Sequence, residues 1–365
     1  MKKRQNHQNQ VVFGFSGSLQ QDLELYQGVM GVAQAAGWHV LGVHEQFERS
    51  LTRLVDAGAV QGVIGEFMSE AWLGDLPERI PLVHVGRSVF SERIAAVTFD
   101  WRAIGRAAGA HFEEMGYRRV RIYEIPGQPL PAEVFAGLAD FGEASRLRVR
   151  GGGELAALLR EPGREPVGIL CPSDFVARQV IQVAEREGFA VPEVFGVLGI
   201  GDRFMDRIAV ERGISSIPLP HEALGRAAGE LLQQVMRGDR PRQLRVPPGG
   251  VVARETTLRD SHPRALVVRV EGIFRQNLAD PPDLEAVSRQ VGMSRRAFER
   301  GFRVQAGTSP YQYLLRLRLE AAESLLRETD WTVARVGERV GYPDPPRFSA
   351  FFRRMTGSSP REWRK

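Results

Sequence analysis

The chain has 365 residues, 43% of them hydrophobic and 25% charged, with one cysteine and a net charge of +5. That length and apolar fraction supply two or three cores, no apolar run approaches the ~18 residues of a membrane span, and a single cysteine excludes an internal disulfide or a cysteine-rich zinc site. The charge is uneven: residues 263–365 carry 19 Lys and Arg against 12 Asp and Glu, whereas the preceding residues carry 30 against 32. A basic segment beside a near-neutral one is what a phosphate-binding module attached to a sensor shows.

Residues 1–10 are polar and lack the apolar stretch of a secretory signal, so they read as a disordered lead on a cytoplasmic protein. From 11 to 258, short β-branched runs alternate with helical stretches, the pattern of parallel sheets wound with helices. Strands are expected at 11–15, 39–43, 62–65, 81–85, 119–123, 167–171 and 194–200, with short closing strands at 243–246 and 251–253. Helices are expected at 22–36, 101–115, 175–187 and 221–237. About nine strands imply two α/β lobes. Between Tyr123 and Val167, Pro126, Pro129, Pro131 and Gly151 to Gly153 interrupt both periodicities, and a helix is expected to be missing or shortened there. Cys171 reads as a small buried residue ending a strand.

Several marks follow one another along this region: Gly86-Arg87, Val97-Thr98-Phe99-Asp100 with Ile104-Gly105, Ser173-Asp174 with Ala177-Arg178-Gln179-Val180, Val197-Leu198-Gly199-Ile200-Gly201-Asp202, and Val251-Val252-Ala253-Arg254. In that order they resemble the periplasmic-binding-protein-like sensor domain of the LacI family, and more closely that of XylR-type regulators. The resemblance implies a two-lobe α/β domain that closes on a small polar effector, a sugar or a related molecule, held by carboxylates and arginines between the lobes. By position after strands, Ser16, Asp22, Glu66, Arg87, Asp100, Asp174 and Asp202 are the candidate ligands. Asp22, Asp100 and Asp174 precede helices and read equally well as N-caps. Asp202 stands where the family places a ligand-binding aspartate, although Arg203 follows it where the XylR-type pattern has Asn-Asp. The alternative is a front half that binds no effector and serves only to oligomerise.

Residues 255–265, with Thr256-Thr257 and His262-Pro263, read as a hinge, and the domain division expected is a sensor at 11–258, a linker at 259–266 and a helical domain at 267–365. In that last part a pattern recurs about fifty positions apart: Phe298, Phe302, Arg303, Gly307, Ser309 and Pro310 reappear as Phe348, Phe352, Arg353, Gly357, Ser359 and Pro360. Each copy has the grammar of a helix-turn-helix. In the first, Asp283 caps a helix with Leu284, Val287 and Val291 on one stripe, Gly292 turns the chain, and Ser294 caps a second helix that buries Ala297, Phe298 and Phe302. Its remaining surface is Arg295, Arg296, Glu299, Arg300 and Arg303. In the second copy Thr332 caps the stripe Val333, Val336 and Val340, Gly341-Tyr342 turn, and Asp344, Pro345 and Pro346 start a helix exposing Arg347, Arg353 and Arg354. Between the copies, 310–327 reads as one helix, a rod of ~27 Å against the ~34 Å between successive major-groove faces of B-DNA.

The stretch from Asp283 to the C-terminus resembles the DNA-binding domain of the AraC family of transcription activators. Its marks are Gly292-Met293-Ser294, the run from Phe298 to Arg303, Gly307-Thr308-Ser309-Pro310, Arg318-Leu319 with Ala322, Val340-Gly341-Tyr342 and Gly357-Ser358-Ser359-Pro360. The resemblance implies an all-α tandem helix-turn-helix domain on double-stranded promoter DNA, a homodimer, and contact with RNA polymerase. It places base reading on Arg296, Glu299 and Arg300, with Ser294, Arg295 and Arg303 beside them. It turns Pro346, Arg347, Arg353 and Arg354 to the same duplex, but the second helix departs from the pattern, since Pro346 and Ala350 stand where longer polar side chains are usual, so this helix is expected to do more phosphate anchoring than base reading, through Arg347, Arg353 and Arg354. No catalytic residue, metal site or cofactor is expected: the glycines form no phosphate loop, the seven histidines lack ligand spacing, and one cysteine cannot supply the zinc cluster of a repair methyl acceptor.

Overall fold

The computed structural model of the chain describes residues 10–14, 19–43, 47–66, 80–86, 94–125, 130–141, 143–148, 165–202, 213–260, 262–328 and 331–364. Its first sheet is built from β1 (Gln10–Gly14), β2 (His39–Val43), β3 (Gly62–Gly65), β4 (Leu82–Val85), β5 (Ala95–Phe99) and β11 (Gln243–Val246), in the order β11-β5-β4-β3-β1-β2. The second contains β6 (Arg119–Glu124), β7 (Glu143–Arg148), β8 (Val167–Leu170), β9 (Phe195–Gly201) and β10 (Ser215–Pro218), in the order β10-β9-β8-β6-β7. Every pairing in both sheets is parallel. Parallel strands are covered on both faces, which is why β3, β4, β5 and β8 are mostly apolar and buried throughout, His84 and Thr98 included, while the edge strands β2 and β11 alternate with exposed positions.

The chain crosses between the sheets three times. After β5 the helix Trp101–Glu114 packs on the second lobe, where its Phe112 fills the space left by Gly168 of β8. After β10 the helix His221–Met236 returns to the first, lying over β3, β4 and β5 and along the helix Leu19–Ala36. Gly28 and Gly225 bring those two helices into backbone contact, since a Cβ on either would overlap a carbonyl of the other. The third crossing follows β11, where Val252 bridges back to Ser216 of β10.

Several elements differ from the sequence expectation. The expected strand at 251–253 is only that single bridge, and β5, β7, β10 and the helices Phe47–Asp56 and Ala132–Leu138 were not foreseen. The region between Tyr123 and Val167, where a helix was expected to be missing or shortened, holds the short helix Ala132–Leu138, a 3-10 turn Ala139–Phe141 and the edge strand β7, with 126–129, 142 and 149–164 outside the described residues. Gln10, assigned to the lead, already belongs to β1; the rest of the lead lies outside the described residues.

The hinge expectation is also corrected at its start. Thr256 and Thr257 are fully buried, and Leu258 is inserted in the sensor core. Thr256 Oγ1 donates to the Val197 carbonyl at 2.7 Å and accepts from the Ser215 amide, while Thr257 Oγ1 lies 2.7 Å from Ser215 Oγ and 2.8 Å from His111 Nε2. These residues are bolted into the second lobe. The helix Ala265–Gln276 then shares its apolar faces between two cores: Ala265 and Val268 join the sensor cluster, Leu266, Val267, Val270 and Phe274 the first helix-turn-helix cluster.

Candidate nucleic-acid interface and effector site

The repeat read from sequence becomes two units of matching geometry. The helices Leu284–Gln290 and Val333–Arg339 are capped by Asp283 and Thr332, whose side chains accept from the Ala286 amide at 2.7 Å and the Arg335 amide at 3.2 Å. Gly292 and Gly341 turn the chain at φ 71° and 85°, a region open to glycine and costly for a Cβ. The second helices, Arg295–Ala306 and Pro345–Thr356, have 12 residues each and end on left-handed Gly307 and Gly357. They pack through Phe298 and Phe302 in one and Phe348, Phe351 and Phe352 in the other, all buried.

The helix Pro310–Glu328, 19 residues and therefore ~28 Å long, joins the units. Arg318 at its middle locks the second unit to the first. Its Nε and Nη2 donate to the carbonyls of Leu278 and Ala279 at 3.0 and 3.2 Å, and its guanidinium lies over the Tyr342 ring at 5.4 Å. At the other face Arg275 pairs with Glu271 at 2.7 Å and Glu320 at 3.1 Å, and Tyr313 Oη donates to Glu271. Burial, then that hydrogen bond, holds the Tyr313 phenol above its ordinary range.

On the first recognition helix, Ser294 caps through a 3.4 Å bond from the Ala297 amide, and Arg295 pairs with Glu299 at 2.9 Å along the helix. Arg296, Glu299, Arg300, Arg303 and the 80% exposed Val304 line an open hollow of about 330 Å³. On the second, Pro346, Arg347, Arg353 and Arg354 are all exposed, and Arg347 lies 3.5 Å from Asp344. The structure thus gathers each unit's candidates on one solvent-facing side.

The effector candidates are gathered less completely. Ser16 and Arg87 lie outside the described residues, as does the side chain of Asp22. Asp100 caps the helix Trp101–Glu114, accepting from the Ala103 amide at 2.8 Å, so its carboxylate is engaged locally. Glu66, exposed after β3, has its Oε1 beside Gly86 together with Nε2 of the buried His84.

In the second lobe Asp174 and Asp202 meet at the carboxyl ends of β8 and β9. Ser173, not Asp174, caps the helix Asp174–Arg186. Asp174 is instead buried, accepting from Ser216 Oγ at 2.5 Å, and Ser216 Oγ accepts from the Asp202 amide at 3.0 Å. Asp202 holds φ 52°, the left-handed region, and its Oδ1 lies 2.7 Å from Arg254 Nη1. Arg254 also donates to the Ile214 carbonyl at 2.6 Å and, through its amide, to Ser215 Oγ. A left-handed aspartate held by one serine and one arginine is the kind of pre-set geometry found at binding sites.

Sequence reading singled out Arg254 only as a family mark and missed Ser216 and His84. The polar pair Ser215-Ser216 inside a short apolar strand was the available signal. The Cys171 thiol, pushed up by burial and then by Asp174, is no nucleophile.

A helix-turn-helix domain model matches residues 287–365, and a periplasmic binding protein-like domain model matches residues 110–257. The xylose operon regulatory protein of Escherichia coli K12 is 25% identical over 98% of this chain and 97% of its own length. The structure of the xylose-binding transcription activator XylR superposes with a TM-score of 0.58 at 22% identity, covering 97% of both chains. In both matches and in their order the chain is similar to AraC-family regulators of XylR-like architecture. Its DNA-binding part alone is 38% identical, over 92 residues, to the HTH-type transcriptional activator RhaS of Escherichia coli O139:H28, covering 25% of this chain and 33% of that one. As in the sequence expectation, an α/β two-lobe domain precedes an all-α tandem helix-turn-helix. Among the described residues no helix is long and apolar enough to cross a membrane.

Proposed function

We propose that the regulator is a cytoplasmic homodimer that binds a sugar between its lobes and promoter DNA through both helix-turn-helix units, and that it engages RNA polymerase there. The observation that carries this reading is the helix Ala265–Gln276, whose two faces belong to the sensor core and to the first DNA-binding core. A change in the sensor therefore shifts a helix on which Phe298 and Phe302 pack, and the recognition helix with them. Asp202, Asp174, Ser216 and Arg254 form the second-lobe half of the effector site; the sequence pattern alone assigns Ser16, Asp22, Arg87 and Asp100 to the other half. Paired hydroxyls of a sugar match this mixture of carboxylates and arginines. The domain division follows: sensor to Leu258, a connection over 259–264, and the DNA-binding domain carried by the shared helix.

Arg296, Glu299 and Arg300 read base edges, Ser294, Arg295 and Arg303 frame them, and Pro346, Arg347, Arg353 and Arg354 face the next turn. The test is a thermal-shift screen of the full chain against pentoses and hexoses, because a ligand that binds only the folded form raises its melting temperature. A sugar that raises it and changes affinity for a selected duplex supports the reading. A panel with no stabilising sugar overturns the sensing part.

A further inference from the structure

The two recognition helices expose the same positions with different chemistry. On a helix, residues at i, i+4 and i+7 form one stripe. In the first unit that stripe is Arg296, Arg300 and Arg303, three exposed arginines with no ion pair among the described residues. The repeat sets Pro346, Ala350 and Arg353 at the same places, all exposed. The cations have moved sideways: Arg347 and Arg354 occupy the flank that carries Ala297 and Val304 in the first helix. A long cation at the stripe's centre reaches the guanine O6 and N7 acceptors. A short apolar side chain there brings the helix close and meets the one apolar group on the groove floor, the thymine C5-methyl. Cations on the flank reach phosphates instead.

Resting on the DNA-binding reading above, we infer that one protomer recognises a composite site: a guanine-containing segment under Arg296 and Arg300, and about one helical turn away a segment read through thymine methyls by Pro346 and Ala350. Arg347, Arg353 and Arg354 clamp the phosphates of that second segment. Pro346 and Ala350 are thus specificity-determining residues, not gaps in a worn-out copy.

The test uses the full wild-type chain. A random duplex pool is selected to a consensus, and each thymine in the selected duplex is replaced by deoxyuridine, which removes only the methyl. The expected loss is about three- to five-fold for one or two positions in the second segment, the scale of one buried methyl, and none in the first. Replacing guanine by 7-deazaguanine should show the opposite pattern. Ala350→Ser should remove the deoxyuridine effect at the position under Ala350 and leave the one under Pro346, and Ala350→Arg should shift the second segment's preference toward guanine. If deoxyuridine is tolerated throughout while 7-deazaguanine still weakens the first segment, the thymine-methyl assignment is wrong and the DNA-binding reading stands. If no sequence is enriched, both fall.

Discussion

Removing the guanidinium in Arg254→Ala attacks the sensor at an ion pair largely shielded from solvent. Arg254 and Asp202 retain 17% and 14% of their side-chain exposure, so neither charge is well hydrated. The substitution takes away the 2.7 Å contact to Asp202 and the 2.6 Å bond to the Ile214 carbonyl, and leaves a carboxylate held at φ 52° without that cation. Breaking such a pair from one side costs about 3–5 kcal/mol, and partial exposure puts this one at the lower end, ~3 kcal/mol. Asp202→Asn should cost less, ~1 kcal/mol, because it leaves no unpaired carboxylate, Arg254 keeps its bond to the Ile214 carbonyl, and the bond from the Asp202 amide to Ser216 is untouched. The assay is denaturant unfolding of the full chain followed by tryptophan fluorescence, with Trp101 buried in the sensor core as reporter. A double substitution that costs less than the sum of the two singles would show the coupling directly. If Arg254→Ala unfolds at the wild-type midpoint, the ion pair does not hold the strand ends as described.

Three other expectations concern different parts of the chain. Burial, and secondarily the charge of His262, lowers the His111 pKa from 6.5 to about 4, so between those values the unfolded chain takes up a proton that the folded one does not. Its contribution is complete above pH 6.5 and is lost as pH falls toward 4, on the order of 3 kcal/mol in total; His111→Gln should flatten that slope in acid titrations of stability, and an unchanged slope would clear His111 of the role. Arg318→Met removes the donor to the part-buried Leu278 carbonyl and to the exposed Ala279 carbonyl and should cost ~1 kcal/mol in the unfolding of the DNA-binding part; wild-type unfolding would mean the two units are not locked there. Arg300→Ala should cost ~1–3 kcal/mol on a selected duplex and relax base preference, whereas Arg353→Ala should weaken all duplexes alike and reduce the salt slope by ~1; gel-shift titrations in which the two variants behave identically would reject the division between base reading and phosphate anchoring.

The helical half was legible because its signals are local. Asp283, Ser294 and Thr332 cap helices within three residues of themselves, and Gly292 and Gly341 turn where the apolar stripes end. The buried strands β1, β3, β4, β8 and β9 were legible as largely apolar runs for the same reason, whereas the buried β5 and β10, with Thr98 and the Ser215-Ser216 pair in them, were not. What escaped depends on distant partners. Strand β7 has the sequence EASRLR, without a β-branched residue, and exists because β6 offers it an edge. Thr256 and Thr257 look like linker residues until Ser215, Val197 and His111 arrive from far along the chain to take their hydroxyls. Asp202 was readable as a candidate, but its partners Arg254 and Ser216 come from separate segments, so their union is a property of the fold. The cap role foreseen as an alternative for Asp100 is real, while Asp174 leaves capping to Ser173 and turns into the carboxylate cluster.

The central claim is that one chain sets two recognition helices on consecutive turns of a single duplex, held at that spacing by the rod Pro310–Glu328. Hydroxyl-radical footprinting of the full chain on a selected duplex tests it directly. Protected patches that come in pairs on one face of the DNA, about ten base pairs apart, one pair for each bound protomer, are the expected result. One patch alone, or uniform cleavage at saturating protein, would contradict it.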